Sequence, residues 1–285
     1  MNNQPANLHT HTTFCDGKNT PEENIVAAIK KNFSCLGFSS HSVYPFWLSS
    51  NIKLEDFDSY CAEINRLKKK YENQIIIKLG FEADYIPGFC EPDFQAYRHF
   101  HPDFLIGSVH FLYNGESELT ENLAQIDSSP TILIKVINNF YNGSARDFVC
   151  HYFAIEREML KNCSFTIIAH ADLVRKFNDK LQLFNEKEDW YRKEIKETAE
   201  FIKRAGVIAE INTGAVARGY MKTPYPSQEF LTILRELKVP VTLSSDSHKA
   251  ENLDFGFDAA VECAKKAGYK EILVPTADDF KSIRI

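Results

Sequence analysis

Two short pairs of metal-binding side chains stand at opposite ends of the chain. One residue separates His9 from His11, and one residue separates Asp246 from His248. Residues at i and i+2 of a strand project from the same face, so the two members of each pair can hold one ion together. Bringing such pairs from both ends of a long chain to one site requires the chain to fold back on itself. The spacing therefore favours a closed architecture built around metal.

Apolar, β-rich runs alternate with helix-period stretches along the whole sequence. Thr20 and Pro21 predict the start of the first helix, as N-cap and first helical residue. Seven principal strands are predicted, one fewer than in a (β/α)8 barrel, and a last short strand follows at 271–274. The seven strands cover residues 7–12, 35–39, 74–81, 104–109, 165–169, 207–211 and 239–243. Alternation without a change of composition predicts a single α/β domain over residues 1–285, with a mostly parallel sheet.

Polar side chains follow nearly every predicted strand, at the point where the strand ends. Parallel barrels build their active sites at the carboxyl ends of their strands, so these side chains are expected to meet at one mouth. Six of the nine histidines and three carboxylates occupy these positions: His9, His11, Asp16, His41, Glu82, His110, His170, Asp246 and His248. Nine ligands exceed what one tetrahedral ion needs and suit two or three ions. Three carboxylates offset only half the charge of three divalent ions, which favours an anionic substrate such as a phosphate ester.

Composition and charge exclude several other classes of protein. The net charge is −6 and the basic residues form only short clusters, which argues against a nucleic-acid partner. No apolar run approaches the ~18 residues of a membrane span, and the polar start predicts no secretory signal. None of the seven cysteines forms a Cys-x-x-Cys pair, and Cys15, within the opening motif, is interpreted as a packing residue. A reduced, cytoplasmic protein is therefore expected.

The strand-end motifs resemble those of the PHP (polymerase and histidinol phosphatase) superfamily, in family order and over essentially the whole chain. They are His9-x-His11 with Asp16-Gly17, His41, Gly80-Phe81-Glu82, Ser108-Val109-His110, Ala169-His170-Ala171-Asp172 and Ser245-Asp246-x-His248. The resemblance implies a distorted (β/α)7, TIM-like barrel, which agrees with the strand count. Ala171 stands where the family pattern has proline, and some members have histidine at the position of Asp16.

The resemblance also implies how three divalent transition-metal ions, Zn, Mn or Fe, would be shared among the ligands. One ion would be held by His9, His11, Glu82 and Asp246. The second would be held by Glu82, His110 and His170, with Glu82 bridging the two. The third would be held by Asp16, His41 and His248.

Within the superfamily, three stretches are similar to the monofunctional histidinol-phosphate phosphatases: residues 107–111, 212–219 and 224–227. This resemblance implies a metal-dependent phosphomonoesterase that hydrolyses L-histidinol phosphate to L-histidinol and phosphate. A group near Asp246 or His248 would protonate the leaving group. The alternatives are a phosphoesterase for nucleotides or other small phosphate esters, a PHP exonuclease or polymerase module, which the acidic charge disfavours, and a non-catalytic metal-stabilised binding protein.

Two arginines after the fifth and sixth strands, Arg175 and Arg218, are candidates for binding the substrate phosphate, because a guanidinium fork suits bidentate phosphate recognition. Lys176 and Lys222 are weaker candidates, and Asp172 is expected to support a ligand. His99 and His101 precede the fourth strand and are expected at the opposite end of the barrel, and His151 is expected to pack in a helix. The segment 111–130 is either a lid over the site or a surface connection.

Overall fold

The structure is a computed structural model that describes residues 4–42, 44, 46, 48–113, 115 and 123–285. Part of the segment 111–130, for which a lid or a surface connection is predicted, therefore lies outside the described residues. In the described part, no helix is both long enough and apolar enough to cross a membrane.

Seven parallel strands form the centre of the molecule, in the order β1-β2-β3-β4-β7-β8-β9. A parallel bridge between Thr10 and Ser247 joins the two edges of this sheet, and the His11 amide donates to the Ser247 carbonyl at 2.8 Å. The predicted α/β barrel of seven parallel strands is thus confirmed. The strands are β1 (Ala6–Asn7), β2 (Cys35–Phe38), β3 (Ile76–Asp84), β4 (Phe104–Ser108), β5 (Phe111–Tyr113), β6 (Leu123–Gln125), β7 (Ile167–Ile168), β8 (Ile208–Asn212), β9 (Val241–Ser244), β10 (Glu271–Pro275) and β11 (Phe280–Arg284).

Helices connect most of the barrel strands and bury apolar faces against them. The first begins as predicted: Thr20 accepts from the Glu23 amide, while Glu23 accepts from the Thr20 amide, a capping box that satisfies both donors. The α-helices are α1 (Pro21–Lys30), α2 (Phe57–Lys70), α3 (Phe94–Tyr97), α4 (Pro130–Tyr141), α5 (Ala145–Asn162), α6 (Asn178–Leu181), α7 (Asp189–Ala205), α8 (Gly214–Ala217), α9 (Gln228–Glu236) and α10 (Phe257–Ala267).

The end of the barrel where the strands begin is filled by apolar side chains. The Phe104 ring lies against the backbone of β3, where a Cβ added to Gly80 would be 2.5 Å from the ring. Leu273 and Phe280, from the antiparallel hairpin β10–β11, pack against this cluster. This end is therefore closed by packing, which leaves the opposite end, where the strands finish, for a functional site.

A second hairpin, β5–β6, stands beside that opposite end and was not predicted as strand. Phe111 of β5 packs with Tyr44 and Phe46, with ring centroids 5.3 and 5.5 Å away. The Ile126 amide, just after β6, donates to the His110 carbonyl at 3.0 Å. The hairpin is thereby attached directly to one of the strand-end histidines.

Candidate metal centre

All nine predicted ligands come together at the carboxyl ends of the barrel strands. Seven of them line a cavity of about 240 Å³, whose wall also includes side chains from the β5–β6 hairpin, and His9 and His11 are buried. The residues that line it are Asp16, His41, Tyr44, Ser50, Glu82, His110, Phe111, Gln125, Asp127, Ser128, His170, Leu173, Lys176, Arg218, Tyr220, Asp246 and His248. Parallel strands place their ends at one edge, which is why residues far apart in sequence meet there.

One group of ligand atoms lies at the bottom of this cavity. His9 Nε2 is 3.2 Å from Glu82 Oε2 and 3.8 Å from Asp246 Oδ1. His11 Nε2 is 3.5 Å from Glu82 Oε2 and 3.3 Å from Asp246 Oδ1. The two histidines of the opening motif therefore face the same two carboxylates, although β1 ends at Asn7 and the strand predicted over 7–12 continues only as the bridge at Thr10.

A second group uses the other oxygen of Glu82. His170 Nε2 is 3.1 Å and His110 Nε2 is 3.5 Å from Glu82 Oε1. Because Oε2 faces His9 and His11, the Glu82 carboxylate lies between two sets of imidazoles. A carboxylate placed in this way could be shared by two cations.

A third group lies nearer the solvent. His248 Nε2 is 3.2 Å from Asp16 Oδ2, and ligand atoms of His11, Asp16, His41 and His248 all lie within 4.8 Å of one another. The His11 and His248 rings stack with centroids 4.1 Å apart. His11 thus borders both this group and the one at the bottom of the cavity.

The donor atoms in these groups fit bound cations. His9 Nε2, His11 Nε2 and His41 Nδ1 are buried and form no well-aligned hydrogen bond with a described residue, although each lies 3.1–3.3 Å from a carboxylate oxygen of Glu82 or Asp246. Buried polar atoms are nearly always satisfied, so ring nitrogens and carboxylate oxygens that face each other without a well-aligned hydrogen bond fit a shared cation. Imidazole and carboxylate are also the ligand types that zinc, manganese and iron accept.

The charges of the site are strongly coupled. Burial lowers the pKa of His9, but the carboxylates of Glu210, Glu82 and Asp246 outweigh it, and the pKa lies well above the ordinary value. Burial, together with His248 and His41, lowers the pKa of His11 to about 3. Without metal, protons on some imidazoles therefore compensate the buried carboxylates.

Two carboxylates that were assigned no role in the sequence analysis orient the histidines from behind. Glu210 Oε2 accepts from His9 Nδ1 at 2.9 Å, and Asp84 Oδ1 accepts from His110 Nδ1 at 3.0 Å. Such bonds set the tautomer so that Nε2 is the free ligand atom. The i, i+2 spacing of Glu82 and Asp84, which repeats the spacing of His9 and His11, is a signal that could have found Asp84, whereas Glu210 has no such signal.

Asp246 is held in an unusual backbone conformation, with φ at 46°. Left-handed backbone is rare for residues other than glycine, and it often occurs at functional sites. The neighbouring Gly214 makes room for it, since a Cβ there would lie 2.7 Å from Asp246 Oδ2. The aspartate is therefore placed by tertiary packing rather than by local preference.

The two predicted phosphate-binding arginines occupy different places. Arg218 lines the cavity, where Nη2 donates to Asp246 Oδ2 at 2.8 Å and Nη1 lies 3.2 Å from His248 Nδ1. Lys176 also lines it. Arg175 does not, and it lies instead among the residues that line a separate cavity of about 260 Å³.

The contacts of Arg175 account for this placement. Its Nε donates to Glu186 at 2.9 Å, and its Nη1 donates to Asp172 at 3.4 Å. Asp172 also accepts from the Ser227 amide at 2.7 Å. Arg175 thus joins three segments of the chain, and the structure does not bring it together with the strand-end ligands.

The remaining histidines lie outside the cavity wall. His99 and His101 are exposed just before β4, at the end of the barrel away from the mouth. His151 lies in α5, where Nδ1 is 2.7 Å from the Tyr141 hydroxyl.

Cys15 Sγ is 3.6 Å from His11 Nδ1, and burial raises the pKa of its thiol to about 11. A thiol of that pKa stays protonated, which is consistent with packing.

Several known proteins are similar to this chain in sequence and fold. A Schizosaccharomyces pombe protein named "Probable histidinol-phosphatase" is 29% identical over 279 residues, covering 93% of this chain and 87% of the relative. The histidinol-phosphatase of Bacillus subtilis is 25% identical over 277 residues, covering 91% and 99%. The solved structure of Lactococcus lactis histidinol phosphate phosphatase, complexed with zinc, L-histidinol and phosphate, superposes with a TM-score of 0.72 at 19% identity. It covers 98% of this chain and 99% of that one, and it shows a shared fold.

A model of the PHP domain matches residues 7–214, well over half of the chain. The match includes seven of the nine strand-end ligands, from His9 to His170, while the barrel itself is completed by β9 beyond it. The chain belongs to the PHP domain family.

Proposed function

We propose that the protein is a metal-dependent phosphomonoesterase that hydrolyses L-histidinol phosphate to L-histidinol and phosphate. The observation that carries this proposal is the set of three adjoining ligand groups at one mouth, with Glu82 between two of them. The names of the two relatives and of the Lactococcus lactis structure, with its bound L-histidinol and phosphate, support the choice of substrate.

The proposed ligand assignment follows the three groups. His9, His11, Glu82 and Asp246 hold one ion. Glu82 is shared with His110 and His170 at a second, and Asp16, His41 and His248 hold a third. The ions are zinc, manganese or iron, and when bound they lower the pKa of a water molecule and offset charge on phosphoryl oxygens.

The residues of the chain position the substrate and move the proton. Arg218 places a guanidinium beside Asp246 and His248, where it orients the phosphate and neutralises part of its charge. Asp246 and His248 are the proposed catalytic residues, because a metal-linked group or water molecule beside them would give its proton to the leaving oxygen as the P–O bond breaks, which releases the alcohol. Arg175 has a supporting role in this proposal, since its guanidinium holds Asp172 and Glu186.

We further propose that residues 1–285 act as one domain. The family match ends at residue 214, but β9 closes the barrel and the β10–β11 hairpin packs against its lower end. All seven cysteines are free, which supports action in the cytoplasm, where thiols stay reduced.

A steady-state comparison tests the function. The metal-loaded protein is assayed with L-histidinol phosphate, a nucleoside monophosphate and p-nitrophenyl phosphate, and the metal content of the same sample is measured. We expect the largest kcat/KM for L-histidinol phosphate, and loss of turnover in His9→Asn and Glu82→Gln with folding retained. The matched control is Glu236→Gln, an exposed residue at the end of α9. Absence of phosphate release from L-histidinol phosphate would contradict the proposal, and a higher kcat/KM for the nucleotide would favour a nucleotide phosphoesterase.

A further inference from the structure

Asp127 lies in the cavity wall, and the proposed function gives its carboxylate no role. It follows β6, one residue after Ile126, whose amide is bonded to the His110 carbonyl at 3.0 Å. Its side chain is 20% exposed and lines the cavity. The backbone contact with His110 holds Asp127 next to the second ligand group.

Lys176 holds this carboxylate from one side. Its ammonium group donates to Asp127 Oδ2 at 3.0 Å and to the Asp127 carbonyl at 2.8 Å. The same ammonium group lies 5.3 Å from the centroid of the Tyr220 ring. Asp127 is therefore oriented by a second element, the segment after β7, as well as by its own hairpin.

The charge of Asp127 needs an explanation in a mouth that takes phosphate. Burial raises the pKa of its carboxyl, but Lys176 and His110 lower it by more, so the group stays ionised. Among the described residues that line the cavity, four are carboxylates, and Asp16, Glu82 and Asp246 belong to the ligand groups. Lys176 pairs with Oδ2 and offsets part of this charge, and no described residue donates a hydrogen bond to Oδ1, so that oxygen is available to a cationic group of a substrate. A substrate that carries such a group is favoured there over one that carries only negative charge.

We propose that Asp127 binds a protonated amine of the substrate, so that the site selects phosphate monoesters of amino alcohols. This inference rests on the proposed function and deepens it. The amine of L-histidinol phosphate is on the carbon next to the ester carbon, so it stays close to the phosphate when the phosphate is at the ligand groups. Asp127 lines the same cavity as His110 and His170 of the second ligand group, and in this proposal it receives that amine.

The same carboxylate then separates two classes of phosphate ester. A cationic substrate replaces the lost hydration of Asp127 with a charge-assisted hydrogen bond, whereas a nucleotide brings no cation to it. Specificity of this kind arises from a group that is unfavourable for the wrong ligand and is satisfied only by the right one.

The test compares two substrates that differ only in the amine: L-histidinol phosphate and 3-(imidazol-4-yl)propyl phosphate. We expect Asp127→Asn to lower kcat/KM for the first by about 10- to 100-fold, the range for one charge-assisted hydrogen bond, and to leave the second unchanged or raised. Lys176→Met removes the ion-pair partner of Asp127 but keeps the charge of the Asp127 carboxylate. The preference for the substrate that carries the amine should therefore persist. Glu236→Gln, the same loss of one charge at an exposed and distant position, should change neither.

An equal loss with both substrates in Asp127→Asn would overturn the proposal, because it would mean that Asp127 acts only by placing Lys176. Wild-type protein without preference for the amine would overturn it as well. Failure of the proposed function is a different result, seen as absence of turnover of L-histidinol phosphate by the wild type. In that case the role of Asp127 is tested with phosphoethanolamine, which carries an amine, and ethyl phosphate, which does not. A wild-type preference for phosphoethanolamine that is lost in Asp127→Asn supports the proposal. Equal wild-type rates with the two substrates overturn it.

Discussion

Replacing Glu210 by glutamine changes one oxygen into an amide nitrogen behind the metal centre. Three donors converge on the Glu210 carboxylate in the wild type. Oε1 accepts from the His170 amide at 2.9 Å and from Asn212 Nδ2 at 2.6 Å, and Oε2 accepts from His9 Nδ1 at 2.9 Å. Glutamine has a single oxygen, so it cannot accept from both sides.

The favoured orientation of the glutamine follows from these contacts. With its oxygen at the Oε1 position it keeps two hydrogen bonds, and with its oxygen at the Oε2 position it keeps one. The first orientation points the amide NH2 group at His9 Nδ1, which must then accept. The His9 proton moves to Nε2, the atom that lies 3.2 Å from Glu82 Oε2 and would bind the ion. We therefore expect Glu210→Gln to weaken metal binding by about 10- to 100-fold, as found when such supporting groups are removed, which is about 1.4–2.8 kcal/mol.

Competition with a chelator of known affinity measures this change, with zinc as the metal, and long-range ¹⁵N–¹H NMR reports the tautomer of His9 directly. Glu156→Gln is the matched control, because Glu156 is as buried as Glu210 but bonds Tyr152 rather than a strand-end histidine. We expect the control to bind zinc as the wild type does. Zinc affinity unchanged in Glu210→Gln, or lowered equally in both variants, would refute the tautomer argument.

The remaining predictions concern the buried network behind the site. Burial, with a further contribution from Asp172, raises the pKa of Glu156 well above 4.5 although Tyr152 donates to it, so wild-type stability is lost as pH rises from about 4.5 toward that pKa. Glu156→Gln should remove this loss. In urea unfolding, the free energy of unfolding of the variant should exceed that of the wild type by an amount that grows from pH 5 to pH 8, to about 1–3 kcal/mol at most. A difference that stays constant with pH would contradict this prediction. Arg175→Met leaves the buried Asp172 carboxylate unpaired and should lower the free energy of unfolding by about 3–5 kcal/mol with KM unchanged. If Arg175→Met instead had wild-type stability and a raised KM, Arg175 would be assigned to phosphate binding.

The order of the elements was predictable because it depends on local patterns. The Thr20-Pro21 start of α1 was predicted to the residue, and the strand predicted at 239–243 is found at Val241–Ser244. The three-residue strands β5 and β6 were missed, and so was β11, although it has five residues. Three residues carry too little periodicity to identify a strand, and their pairing depends on hydrogen bonds from a partner that the pattern does not specify.

The candidate site was predictable to the extent that it uses strand ends. The nine proposed ligands could be selected because polar residues follow apolar runs at the carboxyl edge of parallel strands, and the structure brings them together. Glu210 and Asp84 could not be given a role in this way, because a carboxylate inside a strand reads equally as a support, a ligand or a solvated side chain. Asp127 lies in a connection without period, and tertiary contacts place it in the mouth: the bond of the Ile126 amide to His110 and the ion pair with Lys176.

The sequence by itself determined the α/β alternation, the number of barrel strands and which residues stand at their ends, because these depend on side chains within a few positions of one another. Only the tertiary structure decided which partner each side chain faces. His9 meets Glu210 across 201 positions, and Arg175 pairs with Asp172 and Glu186 while its neighbour Lys176 enters the cavity. Adjacent residues with similar charge diverge there because the direction of a side chain is set by the surfaces that pack against it, and those surfaces come from distant parts of the chain.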